Sequence, residues 1–233
     1  MQTLIQFPIG EQAMKGNNDD LVAESVRLIE RGDLQGAVNI LKILLEQHPD
    51  SLEGWYNLGF VLMELNNDEE AIKAFDEALA IDNQIFEIWF NKANSLYNLA
   101  DFKHAKECYE KATEINPDDA EAWNNLGNCY SRLAEGQKAI EAYTRAVAVK
   151  PDYGEAFYNK ANAHFIEEED ERAIAYADLA VELNPHLASK VMEWIHVSRD
   201  RLAVTESEEQ HRERVKTLKE LAEQDALREK ETN

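Results

Sequence analysis

One pattern returns along this chain every 34 residues. The stretch "WNNLGNCYSRL" from Trp123 has the outline of "WYNLGFVLMEL" from Trp55, "WFNKANSLYNL" from Trp89 and "FYNKANAHFIE" from Phe157. Gly59, Ala93, Gly127 and Ala161 keep the same interval, as do Ala71, Ala105, Ala139 and Ala173, and Ala78, Ala112, Ala146 and Ala180. Pro117, Pro151 and Pro185 close three copies, with Asn83 at that place in an earlier one. One step further back lies a degenerate first copy: Leu21, Ser25, Leu28, Ala37, Leu41, Leu44 and Pro49. Five copies tile residues 18–187 as 18–51, 52–85, 86–119, 120–153 and 154–187. A unit this short cannot bury its apolar face alone, so neighbouring units must stack.

Each copy has the spacing of two helices. Trp89, Ala93 and Leu96 stand at i, i+4 and i+7, and Ala105, Tyr109 and Ala112 repeat that spacing further on. Short polar turns such as "NND" at 66–68 separate the two, with Asp68 as the expected N-cap. Proline after the second helix prevents its continuation. Small residues at Gly59, Ala93, Gly127 and Ala161 let two helices approach, and Trp and Tyr residues are expected to fill the volume beside them.

The fourth copy, W-N-N-L-G-N-C-Y…A-I-E-A-Y…P from Trp123 to Pro151, resembles the tetratricopeptide repeat at each signature position. The resemblance implies an all-α fold, an α-solenoid of helix–turn–helix units in a right-handed superhelix. It also implies a concave groove lined by the first helix of each unit. Copy one lacks the aromatic residue and the glycine, and copy five has Ala177 where others have Leu41, Phe75, Tyr109 and Tyr143. The end copies are therefore expected to be softer than the middle three. Residues 1–17 read as a flexible segment. "HLASKVMEWIHVSRDRLAV" reads as one capping helix over 188–204, with a stripe of Val191, Trp194, Ile195, Ser198 and Leu202. Residues 205–233 read as a charged helical tail.

On a wheel of about 100° per residue with Trp89 at zero, Ala93 and Leu96 fall within roughly 40°, and Glu87, Asn91 and Asn94 lie roughly 140–200° away. The recurring asparagines are thus expected to point away from the core. They are Asn57, Asn91, Asn125 and Asn159, joined by Asn94, Asn128 and Asn162. Glu53, Glu87, Glu121 and Glu155 follow the same stripe, flanked by Tyr56, Phe90, Asn124 and Tyr158. An amide side chain both donates and accepts, so a ladder of them can hold the backbone of an extended peptide without selecting its side chains. The glutamates favour a neutral or basic ligand. The implied function is a non-catalytic interaction module or adaptor. A self-assembling scaffold and an accessory subunit of a larger enzyme are the alternatives. Lys92 and Lys160 fall at the edge of the core stripe, so clamping of an acidic peptide is rejected.

Charge narrows the partners. The formal net charge is −22, with −19 of it in residues 18–204. Such a body repels nucleic-acid phosphates and anionic lipid, and attracts neutral or basic protein. The tail stretch "RERVKTLK" at 212–219 is basic and could dock into the acidic groove of its own or another chain, a route to homo-oligomers. No run of residues reaches the length of a membrane span, and the first ten lack the basic leader of a signal peptide. Cys108 and Cys129 read as reduced, packed thiols of a cytoplasmic protein. The six histidines lack zinc-ligand spacing, and His164 is expected to be a packed core residue. No phosphate-binding glycine loop or paired nucleophile and base is evident, so neither a cofactor nor catalysis is expected.

Overall fold

The computed structural model describes residues 17–203, 212, 213, 215–220 and 224. The expected flexible segment before Asn17 and much of the charged tail lie outside the described residues. The chain divides into two compact units, residues 1–83 and 84–233. In the first unit α1 (Asn17–Glu30) and α2 (Leu34–Gln47) form one hairpin, and α3 (Leu52–Glu64) and α4 (Asp68–Ile81) a second. Helix α3 packs on α2 and touches α1. The second unit holds three hairpins: α5 (Phe86–Asn98) with α6 (Phe102–Ile115), α7 (Ala120–Arg132) with α8 (Gly136–Val149), and α9 (Gly154–Ile166) with α10 (Asp170–Leu183). Here α7 packs on α6, α9 on α8, and α7 also touches α9. Within each unit, then, consecutive helix pairs stack as the 34-residue period requires.

The turn inside every hairpin is built the same way. Gly32, Asn66, Ala100, Ala134 and Glu168, one per copy, carry φ of 78°, 58°, 60°, 58° and 59°. In copy four the amide of Ala134 donates to the Ser131 carbonyl, and that of Glu135 to the Tyr130 carbonyl. The corresponding pairs recur at Gly32–Asp33, Asn66–Asn67, Ala100–Asp101 and Glu168–Glu169. This left-handed closure satisfies the last carbonyls of the first helix. The residue after the left-handed one is the N-cap of the second helix, so in copy two the cap is Asn67 and the expected cap Asp68 is the first helical residue, buried. True side-chain caps occur at Asp33, whose carboxylate accepts from the Gly36 amide at 2.9 Å, and at Asp101, which accepts from His104.

Between the helices of a hairpin, a ring fills the space that the small residue leaves. A Cβ added at Gly59 would lie 2.6 Å from Phe75 Cε1, and one at Gly127 would lie 2.5 Å from Tyr143 Cε1. The ring in that space comes from the second helix, not from the tryptophans. Trp55, Trp89 and Trp123 are only half-buried, because an indole at the hairpin edge has a different task. The Nε1 of Trp55 donates to the Pro49 carbonyl and that of Trp123 to the Pro117 carbonyl, both at 2.8 Å. Each indole thus ties down the turn that leads into its own helix.

After α10 the expected single capping helix is interrupted. A 3-10 turn at Pro185–Leu187 leads into α11 (Ala188–Met192), and α12 (Ile195–Ala203) follows a turn at Glu193 and Trp194. The Trp194 amide donates to the Val191 carbonyl and the Val197 amide to the Trp194 carbonyl, both three residues back. This tightening lets the adjacent residues Trp194 and Ile195 both enter the core, which a straight helix would place about 100° apart. Val191 joins them, Leu202 packs alongside and α12 lies on α10. The described part of the basic stretch 212–219 reaches α10 and the core beneath it. Val215 joins the same core and Lys219 pairs with Glu182 of α10.

Candidate peptide-binding surface

Several residues expected on an open stripe are in the core. In the first unit Tyr56 is buried with its ring 6.3 Å from that of Phe75, and Asn57 is only 8% exposed. Every residue from Tyr56 to Met63 of α3 is buried. In the second unit Phe90 is buried between Phe86, stacked at 5.4 Å, and Tyr109, edge-on at 5.8 Å, and Asn91 is 6% exposed. Tyr56, Phe90, Asn57 and Asn91 therefore do not face solvent as the helical wheel suggested. A wheel with one core stripe describes a helix covered on one side, whereas these first helices are covered on several.

Two further asparagines serve the hairpin itself. Asn94 Oδ1 accepts from the Tyr109 hydroxyl at 2.5 Å, and Asn128 Oδ1 accepts from the Tyr143 hydroxyl at 2.8 Å. Burial pushes both phenols well above their ordinary pKa, so they remain donors. The other copies follow the same logic. Where the second helix has Phe75, the first has Phe60, and where it has Ala177, Asn162 stays half-exposed. This co-variation between copies is visible in the sequence, although the helical wheel alone does not show it.

What remains on the surface is a line of amides joining α7 to α9. Asn159 Nδ2 donates to Asn124 Oδ1 at 2.9 Å, and Asn124 Nδ2 donates to Asn125 Oδ1 at 3.3 Å. Asn124 is buried and orients its two half-exposed partners, Asn125 and Asn159. Glu87 is half-exposed and Glu121 exposed. Desolvation raises the Glu121 pKa, Asp119 adds to the rise and Lys150 opposes it. Glu155 accepts from Asn184 Nδ2 at 2.7 Å. Tyr158 is half-buried beneath the capping region, with Lys190 Nζ 5.8 Å from its ring centre, and its phenol pKa is raised by desolvation.

The buried titratable groups of copy five form a separate cluster. The His164 ring stacks on Tyr176 at 5.2 Å and 8°, and its Nδ1 lies 2.7 Å from Glu169 Oε2. Desolvation holds His164 down to about 4, with the Glu169 hydrogen bond opposing, so the packed histidine expected from sequence is neutral at pH 7. Lys160 is 4% exposed, its Nζ 4.2 Å from the Tyr176 ring centre. Cys108 and Cys129 are buried and form no disulfide, and burial pushes Cys129 up to about 12. Among the described residues no group of three or more His, Cys, Asp or Glu is placed to hold a metal. No helix among them is long and apolar enough to cross a membrane.

Family profiles described as tetratricopeptide repeat match residues 28–89, 86–119, 120–153 and 154–187. No curated protein matches the sequence. Among solved structures, the chain is similar to a MamA protein at 23% identity and TM-score 0.69, covering 74% of this chain and 94% of that one. MamA from Desulfovibrio magneticus RS-1 matches at 24% identity and TM-score 0.65, covering 80% and 99%. YrrB, whose structure is described as a tetratricopeptide-repeat protein with an unusual peptide-binding site, matches at 22% identity and TM-score 0.66, covering 71% and 85%. At these identities the likeness concerns the fold.

Proposed function

The chain belongs to the tetratricopeptide repeat family, and from that premise we propose that it is a protein-interaction module. We assign residues 18–187 to five repeats and the binding surface to the first helices of the second unit. The ligand is an extended, neutral or basic segment of another protein. Its backbone is held by Asn125 and Asn159, with Asn162 beyond them, and its basic side chains are favoured by Glu87 and Glu121.

The observation that carries this is the hydrogen-bonded line Asn159–Asn124–Asn125. A buried amide holds two half-exposed ones at fixed orientation, so little side-chain entropy is lost when a ligand binds. Amides supply donors and acceptors together, which suits a peptide backbone. The net charge of −22 disfavours acidic ligands. The peptide-binding site named for YrrB gives a precedent on the same fold.

The test is an array of extended peptides graded from acidic to basic, probed with wild type and with Asn125→Ala/Asn159→Ala. Wild type should retain neutral and basic peptides, and the double variant should lose about tenfold in affinity while remaining helical by circular dichroism. Equal binding by the two proteins would place the ligand elsewhere.

A further inference from the structure

We propose that the cleft between α2 and α4, floored by α3, is a binding site for a small aromatic carboxylate. The cleft belongs to the first unit and the asparagine line to the second, so the two sites are separate functions of the chain.

A cavity of about 390 Å³ opens between these helices. Small-ligand sites span about 300–1,000 Å³. Val38, Leu58, Leu62 and Ala74 line it and are buried, so they form its floor. Trp55 and Leu65 line it half-buried. The charged groups are exposed at the rim: Lys42 on α2, and Glu70, Lys73 and Glu77 on α4.

The second unit shows what fits such a cleft. Val38, Lys42 and Leu62 stand two repeat periods before Lys106, Glu110 and Tyr130. There the place between α6 and α8 is taken by the Tyr130 ring of α7. Its hydroxyl donates to Glu110 Oε1 at 2.7 Å, and Lys106 and Lys138 Nζ lie 5.7 and 5.5 Å from the ring centre. Desolvation raises the phenol pKa, and the Glu110 hydrogen bond and the charges of Glu110, Glu135 and Glu141 add to the rise. The tip of the ring therefore points among acids. In the first unit Leu62 replaces the ring and Val38 replaces Lys106, and the cavity lies over those two aliphatic side chains.

The charges around the tip are reversed. Lys42 stands at the place of Glu110 and Lys73 at that of Glu141. On α4, Glu70 and Glu77 likewise replace Lys138 and Arg145. A hydroxyl donor at the tip suits two acids, and an anionic acceptor there suits two lysines. The fitting ligand is therefore an aromatic ring carrying a carboxylate opposite its point of entry. The net charge of −22 disfavours anions at a distance, but exposed charges are screened beyond about 10 Å at 0.1 M, so the two lysines decide at contact.

The test titrates the full chain with 4-methylbenzoate, the tyrosine side chain with a carboxylate in place of its hydroxyl. Methyl NMR signals of Leu58 and Leu62 should shift saturably, and 4-methylbenzylamine should bind at least about fivefold more weakly. Lys42→Glu/Lys73→Glu should weaken the acid by at least about fivefold and reverse that preference. Leu62→Tyr returns a ring to the cleft and should abolish binding. Absence of shifts at Leu58 and Leu62, equal affinity for acid and amine, or full affinity in the lysine variant overturns the proposal. So does full affinity in a cooperatively melting Leu62→Tyr protein. If Leu62→Tyr does not melt cooperatively, the lysine variant decides alone, since both of its changes are at exposed positions.

Discussion

The hydroxyl of Tyr143 on α8 donates to Oδ1 of Asn128 on α7 across 2.8 Å, from a ring that sits directly over Gly127. One tyrosine therefore fills the gap between the helices of its hairpin and fixes an asparagine at the edge of the first helix. Tyr143→Phe keeps the packing and removes the donor. The expected loss is about 1 kcal/mol, read as a lower urea midpoint at unchanged slope. Asn162→Ala, at the equivalent place without a tyrosine, should leave the midpoint unchanged.

His164 makes stability depend on pH in a defined window. Its folded pKa of about 4 lies below the ordinary 6.5, so the unfolded chain takes up a proton that the folded chain refuses. Stability is unaffected above the unfolded value, falls as pH drops from about 6.5 toward 4, and levels below that. The loss is on the order of 3 kcal/mol. His164→Gln should flatten that part of the profile in urea titrations at stepped pH, leaving the carboxylate-driven loss below it.

Trp123 has a testable role in the turn before its own helix. Its Nε1 donates to the Pro117 carbonyl at 2.8 Å, and the ring is half-buried. Trp123→Phe preserves an aromatic ring and removes the donor. It should cost about 1 kcal/mol and raise hydrogen exchange at residues 116–120, with α8 less affected.

The acidic character of the proposed surface predicts a salt signature. Glu87→Gln/Glu121→Gln should weaken binding of a basic peptide by about tenfold at low ionic strength. The deficit should shrink as salt is raised, because exposed charges are screened beyond about 10 Å at 0.1 M. A neutral peptide should bind both proteins alike, measured by fluorescence anisotropy across a salt series.

The fold was legible because its cause is periodic. A 34-residue interval fixes the hairpins, and Gly59 and Gly127 announce close approach without any knowledge of partners. The candidate site was less legible because exposure depends on neighbours. Tyr56 and Phe90 flank the outward stripe on a wheel, yet the stack encloses them. Asn94 and Asn128 resemble Asn125 and Asn159 on the wheel, and what marks the first two as packing residues is the tyrosine of the second helix, Tyr109 or Tyr143, whose hydroxyl each accepts. The break at Glu193 and Trp194 carried no proline or glycine signal, since it arises from burying two consecutive side chains.

The five left-handed turn residues mark where this architecture holds unused thermal tolerance. Only copy one places glycine there, while Ala100, Ala134 and Glu168 bear a side chain at φ near 60°. Ala100→Gly and Ala134→Gly should each raise stability by about 0.5–1 kcal/mol, a gain of a few degrees in melting temperature. Because these positions sit at hairpin tips away from Asn125 and Asn159, a hardened variant should keep its ligand preference. The present turns close, though less firmly than the backbone allows.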